Sequence, residues 1–260
     1  MTLFSSQILE SIEFAAELLF RARHAIVLTG AGLSTPSGIP DFRSEGTGLW
    51  SHDQPLEVAS LLTFRTRPEL FFQWFRPLAA QIFYAKPNAA HLALSRLEEC
   101  GHLKAVLTQN VDMLHHKAGS KRVFELHGTL RSLSCTQCYR QYGYENYLSL
   151  FVENGKIPYC PACSAILKPD VILFGEQLPQ KTLYAAQQEA RECDLILVIG
   201  SSLEVLPVAG LPMQAIDRGA HLIIINNSPT YLNVRADIVL PEDVATIIPA
   251  ITARVLNEEK

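Results

Sequence analysis

Two runs, Leu195-Ile196-Leu197-Val198-Ile199 and Leu222-Ile223-Ile224-Ile225, are apolar at every position rather than at alternate ones. Successive side chains of a strand point to opposite faces, so such runs need both faces covered. Helices must then pack on each side of the sheet, as they do when parallel strands are joined by helical crossovers. Strand-like runs at 25–29, 104–108, 122–126, 170–174, 194–199, 221–226 and 236–240 alternate with helical patterns near 6–22, 68–84, 88–100, 182–192, 207–218 and 243–256. The pattern predicts an α/β fold with a doubly wound parallel sheet.

Two stretches break the rhythm. Residues 44–86 read as loop plus helices, and 129–169 show little periodicity. Together they predict a smaller module inserted into a large domain of 1–43, 87–128 and 170–260. Both insertions leave from strand carboxyl ends, where open α/β sheets bind ligands, so a cleft between the two parts is expected.

A chain of 260 residues has room for one large core and a small appended module. With 48% hydrophobic and 18% charged residues it reads as a globular enzyme rather than a disordered chain. The net charge of −4 supplies no basic field, so neither nucleic acid nor an acidic membrane is an expected partner. Glu10, Glu13 and Glu17 fall among Ile8, Leu9, Ile12, Phe14, Leu18 and Leu19, which is an amphipathic helix rather than a signal peptide. No apolar run reaches the ~18 residues needed to span a bilayer. A cytoplasmic protein is expected.

Four of the six cysteines form two Cys-x-x-Cys pairs, Cys135/Cys138 and Cys160/Cys163. Two such knuckles can supply a tetrahedral four-sulfur site for one zinc ion. Four thiolates leave no open coordination position, so the metal is expected to be structural, holding a segment too poor in apolar residues to fold unaided. A redox role is the competing reading, but thioredoxin-type chemistry needs only one pair. Cys100 and Cys193 read as small buried hydrophobes.

The first strand, Ala25-Ile26-Val27-Leu28, runs into Thr29-Gly30-Ala31-Gly32. Glycines there let backbone N–H groups approach a pyrophosphate closely. The ordinary dinucleotide fingerprint has a third glycine where Thr35 stands, and no acidic residue ends a second strand to hold a ribose. Instead Asp41, Phe42 and Arg43 follow, an acid, an aromatic wall and a cation beside the turn. Hydride transfer has no evident need of that trio, whereas a reaction in which nicotinamide leaves would use all three. Asp41 reads equally as a residue that fixes the turn after Pro40, and Ser34 as a helix cap.

Thr108-Gln109-Asn110-Val111-Asp112 ends one predicted strand and Glu125-Leu126-His127-Gly128 the next. The carboxyl ends of parallel strands share a rim, so Asn110, Asp112 and His127 can converge on the 30–43 loop. The same order of motifs continues in Pro169-Asp-Val-Ile-Leu-Phe-Gly-Glu176, Gly200-Ser-Ser-Leu-Glu-Val205 and Ile224-Ile-Asn226. With the four cysteines, these segments resemble the sirtuin family, the NAD-dependent protein lysine deacylases, over about residues 8 to 252.

The resemblance implies a Rossmann-like sheet with an inserted zinc-binding and helical domain, NAD as co-substrate between them, and acetyl-lysine proteins or peptides as partners. Ala31, Thr35, Phe42 and Arg43 would line the NAD site, with Asp41 beside them and the Gly30–Gly32 backbone at the pyrophosphate. Gln109 would contact the nicotinamide ribose. Asn110, Val111, Asp112 and Ile39 would form the nicotinamide pocket. Gly200, Ser201 and Ser202 would meet phosphate or ribose, Asn226 the adenine ribose, and Val244 the adenine. Asp112 would hold the departing carboxamide while the acyl oxygen attacks the sugar. His127 would act as general base for a ribose hydroxyl, with Asn110 beside it. An imidazole titrating near pH ~6.5 suits that task. His91, His115 and His116 lie outside the motif positions and read as structural, and Trp50 and Trp74 as core.

Val171, Phe174, Gly175 and Glu176, with Leu203 and Val205, resemble the two edges between which the family takes up substrate peptide by β-augmentation. Family members that remove succinyl groups carry a Tyr-x-x-Arg pair. Aligning Pro68-Glu69-Leu70 puts Phe75 and Leu78 at those places, and neither can hydrogen-bond a carboxylate. Acetyl, with longer apolar acyl groups, is therefore expected over succinyl. The alternatives are a mono-ADP-ribosyltransferase, a non-catalytic NAD-binding regulator and, disfavoured by the missing glycine, a dehydrogenase.

Overall fold

The computed structural model describes residues 4–41 and 55–257. Its larger sheet has six strands, all parallel, in the spatial order β3 (Val123–Glu125), β2 (Ala105–Thr108), β1 (Ala25–Thr29), β7 (Leu195–Ile199), β8 (His221–Ile225) and β9 (Ile238–Leu240). Every residue of β1, β2 and β7 is buried, as runs apolar on both faces require. One face is covered by α1 (Ser6–Arg21), α5 (Ala89–Glu99) and α10 (Val244–Asn257), through Leu19, Leu94 and Ile247 against Val27, Val106 and Leu197. The other is covered by α8 (Gln180–Glu192) and α9 (Leu211–Ile216), through Ala186, Ala190 and Ala215 against Ile26, Leu28 and Ile196. No described helix is long and apolar enough to cross a membrane.

A second sheet is antiparallel, in the order β5 (Gln141–Gly143), β4 (Gly128–Cys135) and β6 (Leu167–Val171). It packs with α3 (Leu61–Thr66), α4 (Pro68–Tyr84) and α7 (Glu145–Asn154) around Phe64, Phe71, Phe72, Phe75 and Phe151. The short helices α2 (Pro55–Val58) and α6 (Leu114–Ala118) complete the described elements outside single turns.

The strand expected at 170–174 in the parallel sheet is corrected. The observed strand is Leu167–Val171, and it pairs antiparallel with β4. Leu167, Pro169 and Val171 are buried while Lys168 and Asp170 are half-buried, the alternation of a sheet with one covered face. The predicted boundary at 169/170 therefore falls inside β6. The helix expected at 207–218 is also shorter. A single 3-10 turn at Val208–Gly210 precedes α9, because Pro207 and Pro212 lack the N–H a longer helix needs.

Candidate active site

At the centre of the parallel sheet, β1 and β7 are neighbours whose chains leave toward opposite edges, and a crevice opens at such a reversal. The glycines of the first turn serve this crossing. A Cβ on Gly30 would lie 2.7 Å from the Gly200 carbonyl oxygen, and one on Gly32 2.8 Å from Gly200 Cα. Gly200 itself has φ +62°, and a Cβ there would come within 2.2 Å of the Leu33 nitrogen. The Gly30 N–H donates to the Ile199 carbonyl at 3.0 Å, and the Gly32 N–H to the Gly200 carbonyl at 2.9 Å. This corrects the expectation that these two amides face a pyrophosphate. They clamp the neighbouring loop, and the crevice is the result.

Around the crevice the rim side chains bond to one another. Asn110 Nδ2 donates to the Gly30 carbonyl at 3.0 Å and to Ser34 Oγ at 3.2 Å. The Ser34 hydroxyl donates to Asp112 Oδ2 at 2.6 Å, while Asp112 Oδ1 accepts the Leu114 N–H at 2.9 Å. Burial raises the Asp112 pKa, and the Ser34 and Leu114 hydrogen bonds oppose that rise. Gln109 Nε2 donates to Ser201 Oγ at 2.8 Å. Burial lowers the His127 pKa from its usual value, only partly offset by the nearby Gln109 backbone. An imidazole whose pKa is lowered stays neutral near pH 7 and can act as a base.

A cavity of about 1140 Å³ joins these groups. Gly30, Ala31, Gly32, Thr35, Ile39 and Asp41 line it from the first turn, and Gln109, Asn110, Val111, Asp112 and His127 from the next two strand ends. Gly200, Ser201, Ser202, Asn226 and Val244 line it farther along the rim. Phe42, Arg43 and Trp50 lie outside the described residues. Ser34 joins Asn110 to Asp112, a role its helix-cap reading missed. Phe71, Trp74, Phe75, Leu78 and Ile82 of α4 form an apolar wall. Trp74, read as core, is therefore also a wall of the site.

The four paired cysteines meet in the small sheet, their sulfurs all within 4.8 Å of one another. Cys135 Sγ and Cys163 Sγ are 3.4 Å apart, and Cys138 Sγ and Cys160 Sγ 3.7 Å. Zinc bound tetrahedrally at about 2.3 Å per thiolate places its sulfurs about 3.8 Å apart. The donor set fits one structural zinc ion and offers no open position for catalysis.

A family model described as the Sir2 family matches residues 30–207. The chain belongs to the Sir2 family. It is 44% identical over 254 residues to the NAD-dependent protein deacylase 2 of Archaeoglobus fulgidus, covering 96% of this chain and 99% of that one. It is 43% identical over 248 residues to the NAD-dependent protein deacetylase of Sulfolobus acidocaldarius, covering 95% and 96%. A solved Sir2 variant with deacetylated p53 peptide and 3′-O-acetyl-ADP-ribose superposes with a TM-score of 0.86, at 36% identity, covering 95% of this chain and 98% of that one.

In this Sir2 protein the His127 carbonyl accepts the Ile172 N–H at 2.9 Å, so the segment after β6 is pinned to the rim. Gly128 makes the crossing possible, since a Cβ there would lie 2.1 Å from the Asp170 carbonyl oxygen. Glu176 accepts the Leu173 N–H at 2.8 Å and pairs with Lys168 at 3.0 Å, which folds 173–176 into a fixed turn. Val171, Phe174, Gly175, Glu176 and Val205 all line the cavity. Two of the edge expectations change. The Phe174 N–H and C=O already bond to Ala59 and Leu61, so neither can serve the expected β-augmentation. Leu203 is buried in the core at φ +56°, beneath the groove rather than along it.

Proposed function

We propose that this Sir2 protein is an NAD-dependent protein lysine deacetylase that uses the cavity at the carboxyl rim. The observation that carries the reading is the convergence of the Asn110–Ser34–Asp112 cluster and His127 on one crevice. NAD supplies an ADP-ribosyl group, whose bond to nicotinamide breaks as the acyl oxygen bonds to the sugar. Asn110 and Asp112 bind the carboxamide, and Ser34 holds both in register. Asp112 keeps acceptor capacity beyond its two protein bonds, which suits an amide N–H of the ligand. His127, kept neutral by burial, takes the proton of a ribose hydroxyl so that the sugar oxygen can accept the acyl group. Ile39 and Val111 keep water from the reacting carbon. The rim residues Thr35, Asp41, Gln109, Ser201, Ser202, Asn226 and Val244 bind the remainder of NAD, joined by Phe42 and Arg43.

The acyl-lysine stem enters past Val171 and Phe174, with the peptide backbone between Gly175–Glu176 and Val205. The α4 wall favours acetyl and longer apolar acyl groups over succinyl. Cys135, Cys138, Cys160 and Cys163 hold the zinc that orders the small sheet. Thiols kept free for metal favour a reducing, cytoplasmic setting. The deciding experiment incubates the zinc-loaded protein with NAD and an acetyl-lysine peptide and identifies products by mass. Nicotinamide with O-acetyl-ADP-ribose and free lysine is the expected outcome. ADP-ribose attached to a protein would favour transferase chemistry, and no NAD turnover would leave a binding protein.

A further inference from the structure

Beneath the rim, three side chains so far without a role join the two ends of the loop that carries Asn110 and Asp112. That loop, 109–113, leaves β2 after Thr108 and enters α6 at Leu114. Thr108 lies opposite Thr29 of β1 in the parallel register. The Thr29 hydroxyl donates to Thr108 Oγ1 at 2.8 Å and meets His115 Nε2, in the first turn of α6, at 2.9 Å. Thr108 Oγ1 also accepts the Asn110 backbone N–H at 3.0 Å. Thr29, Thr108 and His115 are 0%, 2% and 2% exposed. The two hydroxyls and His115 Nε2 are paired with one another, and breaking such a buried pair costs free energy, so their geometry is specified. His91 of α5 packs edge-on against His115 with ring centroids 5.1 Å apart, which limits how the His115 ring can turn.

We propose that Thr29, Thr108 and His115 form a clasp that closes the base of loop 109–113 and positions Asn110 and Asp112 for release of nicotinamide. The inference rests on the reading of this cavity as the NAD site. Thr29 immediately precedes Gly30, whose carbonyl accepts from Asn110, so the clasp registers the loop and the glycine crossing against each other. These are positioning residues, since none of the three lines the cavity. A misplacement of about 1 Å in such a group can cost up to ~10²-fold in rate.

Thr29→Val removes the hydroxyl at nearly constant volume, and Thr29→Ser keeps it. At saturating NAD and acetyl-lysine peptide, the Val variant should release nicotinamide ~10-fold more slowly or worse, with nicotinamide exchange into NAD falling alongside, while the Ser variant stays within about threefold of wild type. Amide hydrogen exchange across 108–114 should rise in the Val variant and recover in the Ser variant, with 195–199 and 221–225 protected throughout. Thr108→Val, read the same way, replaces Thr29→Val if that variant does not fold. If neither folds, protection of the Asn110 amide in wild type decides, and a freely exchanging amide overturns the clasp. A Val variant with wild-type turnover, or a Ser variant as slow as the Val variant, also overturns it. Wild type that releases no nicotinamide overturns the NAD reading instead, and the hydrogen-exchange comparison still tests the clasp.

Discussion

The two walls of the cavity are built by opposite means. On the rim, functional side chains sit at or just beyond strand ends and are held by hydrogen bonds, among them Ser34 to Asp112 at 2.6 Å and Gln109 to Ser201 at 2.8 Å. On the α4 wall the side chains meet ring to ring. Phe71 and Phe75 stack at 5.3 Å, and Phe75 continues onto Phe151 of α7 at 6.1 Å. Directional bonds fix atoms closely enough for proton transfer and leaving-group orientation. Apolar packing discriminates by volume, at ~1–3 kcal/mol per methylene. Under the proposed function the rim would set the chemistry, and the aromatic wall would set which acyl group can reach it.

The strongest way to break this division is to remove the metal. The four cysteines close the end of the small sheet away from the aromatic core, with Leu133 and Leu167 as the buried aliphatic residues packed with them. Structural zinc sites contribute ~10–16 kcal/mol to folding of the segments they close. Chelation under reducing conditions should abolish deacetylation and raise hydrogen exchange across 135–166, while β1, β7 and β8 remain protected. If the metal-free protein keeps its activity, the small sheet does not depend on zinc and the two walls are not separately sustained.

The next largest effect tests the rim. His127→Ala should lower deacetylation by ~10²-fold or more, the usual worth of a general base. Because burial lowers the His127 pKa, the imidazole remains a base below pH 6.5 and gains its proton only in more acidic solution. The acid limb of kcat/KM should thus fall below pH 6.5 in wild type and disappear in the variant. A limb above that value, or near-normal turnover by a folded, zinc-loaded variant, would move the base elsewhere.

What could be read from the chain follows the same division. Apolar runs on both faces identified β7 and β8, and polar residues placed just after strands pointed to Asn110, Asp112 and His127, which line the cavity. Ser34 escaped because a hydroxyl in a glycine-rich turn has an ordinary capping role. The α4 wall was legible only at Phe75 and Leu78, through the resemblance, and the rest escaped for a different reason. Phe71, Phe75, Leu78 and Ile82 repeat at helical spacing, which marks a buried face without saying whether a protein core or a ligand lies against it. Here they serve both, belonging to the aromatic core while lining the cavity. The Thr29–Thr108 bond joins positions 79 residues apart and exists only through strand register, which no local pattern encodes.

The smallest expected effect sharpens the contrast at its apolar end. Phe75 and Leu78 are 4% and 7% exposed and line the cavity without a hydrogen-bond donor between them. A succinyl carboxylate placed there would lose its water and meet no partner, a cost of several kcal/mol. Acetyl- and butyryl-lysine peptides should therefore be processed faster than a succinyl-lysine peptide of the same sequence. Phe75→Tyr combined with Leu78→Arg supplies a hydroxyl and a guanidinium to the same wall and leaves the rim untouched. The pair should shift kcat/KM toward succinyl by ~10-fold, consistent with one charge-assisted hydrogen bond of ~1.5–3 kcal/mol. The change belongs in the preference between peptides, with the acid limb of the pH profile unmoved, because His127 lines the cavity from a strand end rather than from α4. A double variant that alters the pH limb as much as the acyl preference would mean that the two walls are coupled, and the separation of chemistry from selectivity would fail at the place where the structure makes it sharpest.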